Sequence, residues 1–335
     1  MGMKLSKRQK DVLLTIVELY SRSSKPVSSD DVIKNSGIKA SSATIRNDMQ
    51  KLQHLSYIYQ QHTSGGRIPT DKALKLYFEI IAEAYGEEQN YLEMPRDYKF
   101  YDLNIMFENL SEIISTTLNG MVIFEYPDPK YIYVTRAVVT QLTEYHYVVI
   151  LLTNLGMTIS RTVESYGLPA AKELENMLNE GLSGKSLFDI IYASKTQKLK
   201  TDDIRLTNMF NLIEVLLNEF SRNKYLIKGL EKIINKFKPN IESVESLTKI
   251  IENDYIKDKI FENIDYSHEL NVFFGSDLKN KSLKNFAFFS TSYSLGSNPI
   301  GRMLFITDKF CNYEMIYKII REYNSRFSEI ISKNL

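Results

Sequence analysis

Cysteine is almost absent from this sequence. The single Cys311 cannot close an intramolecular disulfide, which fits a reducing compartment and excludes a secreted fold held by disulfides. Tryptophan is missing altogether. The longest apolar run, Tyr147–Leu152, falls far short of a membrane span. The first ten residues run straight into charge without an apolar h-region, so they form no secretory signal peptide. Met1-Gly2 with Ser6 matches the short N-myristoylation pattern, but Ser6 has a better use as a helix cap. A soluble, cytoplasmic protein is the expectation. An excess of one charge is lacking too: 42 Lys and Arg against 41 Asp and Glu leave +1.

Catalytic and metal-binding sets are equally scarce. His54, His62, His146 and His268 are scattered, and with one cysteine they make no plausible zinc set. No Ser/His/Asp or paired-carboxylate arrangement stands out. Gly184-Lys185-Ser186 looks like the end of a P-loop, but Asn179 occupies the first glycine position and helix, not strand, precedes it. Neither an enzyme nor a cofactor nor a metal is expected. The 22 Tyr and 17 Phe read as core and interface.

What is present begins with length. At roughly 150 residues per domain, 335 residues make two or three domains. The near-zero net charge hides an asymmetry. Residues 1–70 hold seven Lys and four Arg against four Asp and one Glu, a net +6, and the remaining residues carry −5. A basic head on a mildly acidic body is the footprint of a module that visits a polyanion.

The head has a readable order. Ser6-x-x-Gln9 is a capping box, and Val12, Leu13, Ile16, Val17 and Tyr20 follow at helical spacing. After Pro26, Ser28 caps a short second helix with Asp30 and Asp31 in its first turn. Gly37 suits the position just past its end. Ser41 then caps a third helix to about His54, giving the helix-turn-helix order. On that helix Ile45, Met49 and Leu52 face inward. The opposite face carries Ala43, Asn47, Gln50 and His54, flanked by Arg46 and Lys51. Asn and Gln can bond adenine bidentately, Arg can meet guanine or phosphate, and Ala fits a thymine methyl. Free hydroxyls of Ser41 and Ser42, with the helix N–H groups, could hold a phosphate. The β-prone Tyr57–Gln60 and the returning Arg67-Ile68-Pro69, joined through Gly65-Gly66, predict a wing. Arg67 could reach a phosphate or the minor groove.

Ser41-Ser42-Ala43-Thr44-Ile45-Arg46-Asn47-Asp48-Met49 and His62-Thr63-Ser64-Gly65-Gly66-Arg67-Ile68-Pro69-Thr70-Asp71 closely resemble HrcA, the bacterial heat-inducible transcription repressor family. Gly65 stands where the family usually has Ala, and Ser56 where Gly usually follows the recognition helix. DNA contacts are expected from Ser41, Ser42, Ala43, Thr44, Arg46, Asn47, Gln50, Lys51, His62, Thr63 and Arg67. The resemblance implies a homodimer on the CIRCE inverted repeat upstream of chaperone operons, sustained by a GroEL-type chaperonin.

Beyond the head, Gly86 to about residue 100 reads as a polar linker with little to lock head to body. Strands are expected at Met121–Tyr126, Tyr131–Thr140, Tyr145–Thr153 and Met157–Val163. A helical stretch runs from Pro169 to about Ile260. Strands return at Asn271–Phe274, Asn285–Tyr293 and Gly301–Thr307, and a helix from Tyr313 closes the chain. The fold class is multidomain α+β. A winged helix-turn-helix (1–90) precedes a domain interrupted by an insertion. The resemblance implies a GAF-like α/β domain (100–145 and 265–335) and an inserted, largely helical dimerisation domain (146–264). The family's Gly-Pro-Thr-Arg-Met run near the last strand is not kept; Phe305-Ile306-Thr307-Asp308-Lys309 stands there. The alternative is a small-molecule-responsive winged-helix regulator sensing through the GAF-like domain.

Overall fold

Ser6 accepts a hydrogen bond from the Gln9 backbone N–H (3.3 Å), and the Gln9 side chain accepts one from the Ser6 N–H (3.0 Å). This capping box starts α1 (Lys7–Ser23). The computed structural model describes residues 5–61, 65–85, 103–198, 204–222, 224–237, 241–262 and 269–333. In it α2 (Ser29–Ser36) is capped by Ser28 and ends at Gly37 with φ +64°, a conformation that costs glycine nothing. Next, α3 (Ser42–His54) buries Ile45, Met49 and Leu52. Strands β1 (Ile58–Gln60) and β2 (Arg67–Pro69) pair antiparallel, and α4 (Asp71–Tyr85) closes the winged-helix head.

The body opens with α5 (Leu103–Leu118) and β3 (Met121–Glu125), followed by β4 (Val134–Thr143), β5 (His146–Thr153) and β6 (Thr158–Glu164). Then come α6 (Ala171–Leu182), α7 (Leu187–Lys198), α8 (Ile204–Arg222), β7 (Tyr225–Lys228), α9 (Leu230–Phe237), α10 (Ile241–Glu252) and α11 (Asp254–Glu262). The chain finishes with β8 (Asn271–Phe274), β9 (Phe286–Leu295), β10 (Asn298–Asp308) and α12 (Tyr313–Lys333). Among the described residues of the body these strands form two antiparallel sheets, one of five strands in the order β7-β3-β10-β9-β8 and one of three, β4-β5-β6. No helix among the described residues is long and apolar enough to cross a membrane.

The central strands of the large sheet are apolar on both faces because helices cover both. Met121, Ile123, Phe288 and Leu304 meet Ile233, Leu247 and Phe261 of the α9–α11 layer. Their neighbours Val122, Phe124 and Phe289 point the other way, toward α5 and α12. There Phe107 stacks within 5.3 Å of Phe124 and 5.0 Å of Phe327. At about 1.5–3 kcal/mol per buried large side chain, this double-sided sheet is the main source of the body's stability.

The sheets divide the chain differently from the expected insertion at 146–264. Strand β4, expected in the GAF-like part, pairs with β5 along its length, since a tight hairpin cannot be split between domains. Strand β7, hidden in the stretch expected to be helical, lies at the edge of the large sheet beside β3. Four residues between long helices were too short to break the helical pattern. The segment outside the large sheet therefore runs from about β4 to α8, and it holds a sheet as well as helices.

The fastening of head to body lies elsewhere than in the linker. Residues 86–100 lie outside the described residues, but head and body are locked without them. Phe78 of α4 packs on Phe289 (5.7 Å) and Tyr317 (5.8 Å), and Tyr77 on Tyr313 (5.8 Å). Asp71 takes hydrogen bonds from Ser276 (2.6 Å) and Lys309 (2.9 Å), and Lys75 donates to Asp277 (2.8 Å). Tyr85 donates to Glu314 (2.6 Å) and its carbonyl accepts from Arg321 (2.6 Å). The linker composition suggested looseness, but the fastening lies in the helix before it, whose aromatic residues serve two cores at once.

Candidate nucleic-acid interface

The exposed face of α3 is set by what its other face must hide. Ile45, Met49 and Leu52 anchor it on the head's core, and Asp48 on the same stripe is buried as well. A carboxylate there needs a partner. Arg8 of α1 supplies it, donating from Nε at 2.6 Å and from a terminal nitrogen at 3.4 Å. Sequence spacing puts Asp48 on the apolar stripe, but nothing local points to a partner 40 residues away. With these four positions inward, Ala43, Arg46, Asn47, Gln50, Lys51 and His54 are all exposed along the opposite side.

The start of α3 differs from expectation. The Ser41 hydroxyl caps the helix, accepting from the Thr44 N–H at 3.2 Å and lying 2.9 Å from the Thr44 hydroxyl. The Ser42 hydroxyl donates to the Asp30 carboxylate (3.0 Å) and lies 3.2 Å from that of Ser29. Neither hydroxyl is free, because the tight turn between α2 and α3 brings the two N-termini together and each consumes the other's polar groups. A phosphate approaching here meets the helix N–H groups together with the Asp30 carboxylate. Arg46 is exposed and its Nε donates to the Ser29 hydroxyl at 3.3 Å, so its guanidinium is aimed from the root.

The wing is narrow and fastened at its base. Val27 and Arg67 exchange backbone hydrogen bonds of 2.9 and 2.7 Å, adding a third extended segment beside β2. Gly66 is required for that approach. A Cβ there would lie 2.6 Å from the Pro26 carbonyl carbon and oxygen, so the glycine serves packing rather than the turn alone. Arg67 is half-buried, bonds the Gly65 carbonyl at 3.2 Å, and leaves its Nε buried without a partner among the described residues. Burial pulls its guanidinium below the usual pKa. Such a group gains when an anion reaches it. His62 and Thr63 lie outside the described residues. Thr70 caps the wing's return by bonding the carbonyls of Ser56 (2.8 Å) and Tyr57 (2.9 Å). Ser56 itself sits at φ +61°, the left-handed region in which glycine is unstrained.

Gly184-Lys185-Ser186 has a structural task. Its backbone pairs with Val134, and Ser186 bonds Asp189 at the start of α7. Asn179 bonds both the N–H and the carbonyl of Ala137 (2.9 and 2.8 Å), closing the outer edge of β4. Among the described residues no cluster of His, Cys, Asp and Glu could hold a metal.

Residues 4–80 match the family described as "Winged helix-turn-helix transcription repressor, HrcA DNA-binding", and residues 104–316 match "HrcA protein C terminal domain". The heat-inducible transcription repressor HrcA of Thermotoga petrophila is 32% identical over 329 residues, covering 97% of this chain and 94% of that protein. The protein of the same name from Lactobacillus acidophilus is 26% identical, covering 97% of each. A crystal structure of a hypothetical protein superposes with a TM-score of 0.79 at 29% identity, covering 99% of this chain and 100% of that one.

Proposed function

The chain belongs to the HrcA family of heat-inducible transcription repressors, and we propose that it represses chaperone operons by binding the CIRCE inverted repeat as a homodimer. The observation that carries this is the exposed face of α3, where Asn47 and Gln50 stand free of the core between cationic Arg46 and Lys51. Asn47 and Gln50 read base edges and Ala43 meets a thymine methyl. Ser41, Ser42 and Thr44 position the helix start, and His62, Thr63 and Arg67 follow the backbone or minor groove from the wing. The protein acts in the cytoplasm, where a GroEL-type chaperonin sustains its active form.

Dimerisation is assigned to the segment around the small sheet. In β5, Tyr147, Val149 and Leu151 are buried while Val148, Ile150 and Leu152 on the other face are only half-buried. Leu142, Tyr145 and Tyr166 are exposed at one end of that sheet. An apolar stripe of this kind, flanked across the sheet by Thr140, Thr158, Ser160 and Thr162, supports self-association. The large sheet supports the GAF-like reading: its strands, numbered along the body, lie in the order second, first, fifth, fourth, third.

Mobility shift tests the proposal. The inverted repeat is expected to bind at least about 10³-fold more tightly than a scrambled sequence, with chaperonin raising the bound fraction. Equal affinity for both sequences would end it. A second reading, a regulator responsive to a small molecule through the GAF-like domain, is favoured by one observation: a groove on the body beside the helix layer α10–α11.

A further inference from the structure

That groove has a volume of about 910 Å³ and is bounded by α10, α11, β8 and the loop 275–283. Its size is within the range of small-molecule sites. The floor is apolar, built from Ile250, Ile260, Phe273 and Leu283. Each of two walls brings an ammonium, Lys249 from α10 and Lys279 from the loop. Both lysines are exposed, and neither side chain is held by a partner among the described residues. Lys259 at the rim is already bonded to Glu262 at 2.6 Å. Asp277, the one carboxylate among the lining residues, is met by Lys75 of the head at 2.8 Å. Lys249 also borders a neighbouring groove with Glu245 and Glu252 of its own helix, but neither carboxylate lines this one, so its lining carries three ammonium groups against Asp277 and suits a molecule with an apolar body and a single anionic head.

The loop that forms one wall also holds the head. It is closed on itself: the Gly275 N–H bonds Phe286, the Asn280 N–H bonds Gly275, and a Cβ on Gly275 would lie 1.9 Å from the Leu283 carbonyl oxygen. Ser276 and Asp277 project toward α4, where they bond Asp71 and Lys75. The next two residues, Leu278 and Lys279, line the groove. Lys279 sits at φ +53°, a strained position for a residue with a Cβ. The residues that line the groove are thus joined directly, through one short hydrogen-bonded loop, to those that hold α4.

We propose that the groove binds an amphipathic monocarboxylate, and that its occupation changes how the head docks on the body and so changes DNA affinity. The proposal deepens the second reading above and rests on it. The carboxylate lies between Lys249 and Lys279 and the apolar body lies over Phe273 and Leu283. Drawing Lys279 inward shifts Asp277 and Ser276, and with them the N-terminus of α4. Coupling of this kind is reciprocal, so DNA that favours one docking also changes ligand affinity.

The test uses the full chain and two readouts. Anilinonaphthalene sulfonate, an amphipathic anion that fluoresces when it leaves water, is titrated first. Saturable binding is expected, displaced by decanoate below its micelle concentration and not by decyltrimethylammonium. Equal displacement by the cation overturns the site whatever any variant does. The doubly exchanged K249E/K279E chain should bind the probe at least about tenfold more weakly, and wild-type affinity in that variant also overturns it. In the second readout, decanoate should change affinity for operator DNA by about fivefold or more, and by less in Lys75→Ala. Displacement of the probe with unchanged DNA affinity overturns the coupling. A failure of sequence-specific DNA binding without decanoate would strike the CIRCE reading and leave the probe result standing.

Discussion

The head meets the body through α4 and presents α3 to solvent, and the two helices are built to opposite plans. Helix α4 buries Ala73, Leu74, Phe78 and Ile81, shares Phe78 with the body's aromatic layer, and has Asp71, Lys75 and Tyr85 tied to residues more than 200 positions away. Helix α3 keeps one stripe for the core and leaves the rest to Asn, Gln, Arg and Lys with few bonds of their own. A face meant for packing is closed by many weak contacts at once. A face meant for base edges keeps its hydrogen-bonding groups unspent until the ligand arrives. Identity of a residue alone does not separate the two plans: Tyr77 and Asn47 are both polar at the tip, but Tyr77 is half-buried against Tyr313 and Asn47 is exposed.

The sharpest way to break this contrast is to empty the α4 side. Phe78→Ala is expected to cost about 3–5 kcal/mol in urea or thermal unfolding and to undock the head. Loss of less than about 1 kcal/mol would show that the head is fastened elsewhere. On the α3 side the expectation reverses. Asn47→Ala or Gln50→Ala should leave the melting temperature in place while operator preference over scrambled DNA falls by about 1–3 kcal/mol. Unchanged discrimination in both variants would remove α3 as the reader. A smaller effect separates the wing from both. Arg67→Ala should weaken specific and non-specific DNA alike and lower the salt dependence of binding by about one counterion; an unaltered salt slope would leave the wing outside the interface.

The smallest effect is acid-dependent. The Lys318 ammonium first, and then the Tyr85 hydroxyl, hold the Glu314 carboxyl below its usual range. A carboxyl with a depressed folded-state pKa contributes stability that is present above the unfolded value, about 4.3 for Glu. That contribution is lost as pH falls through the lower folded value. Lys318 lies one turn away on the same helix and stays paired when the head undocks, so only the Tyr85 share of the shift is linked to docking, which should be insensitive between neutrality and about pH 5 and loosen below about pH 4 by well under about 1 kcal/mol. Glu314→Gln should abolish that acid step, measured by energy transfer between dyes on head and body. A step that survives the substitution would assign the acid sensitivity to other carboxylates.

Most of the head was legible in sequence because its signals are local. Caps, a left-handed glycine and apolar periodicity each act within a few residues, so Ser6, Ser28, Gly37 and Ser41 mark their boundaries directly. What escaped acts at a distance. Asp48 is an anomaly on an apolar stripe whose explanation is Arg8, the Ser42 hydroxyl is spent on Asp30 across a turn, and Gly66 answers to Pro26. In the body, strands flanked by turns could be found, and β8 was expected within its observed bounds. Strand β7 could not, since its strand character comes from the partner β3. The docking of α4 was illegible for the same reason: an amphipathic helix shows that it has an apolar face, not that two cores share it.

Helix α4 fixes the head on the body of the same chain, so that the body's state sets where α3 points. This arrangement is tested most directly by the distance between spin labels at Gln53 on α3 and Glu252 on α10. The labels go into a chain carrying Cys311→Ser, diluted with unlabelled protein so that only distances within one chain register. A single narrow distribution centred on the separation in the structure is expected, broadened when Phe78 is replaced by alanine. A broad distribution in the unsubstituted chain, unaffected by that replacement, would contradict it.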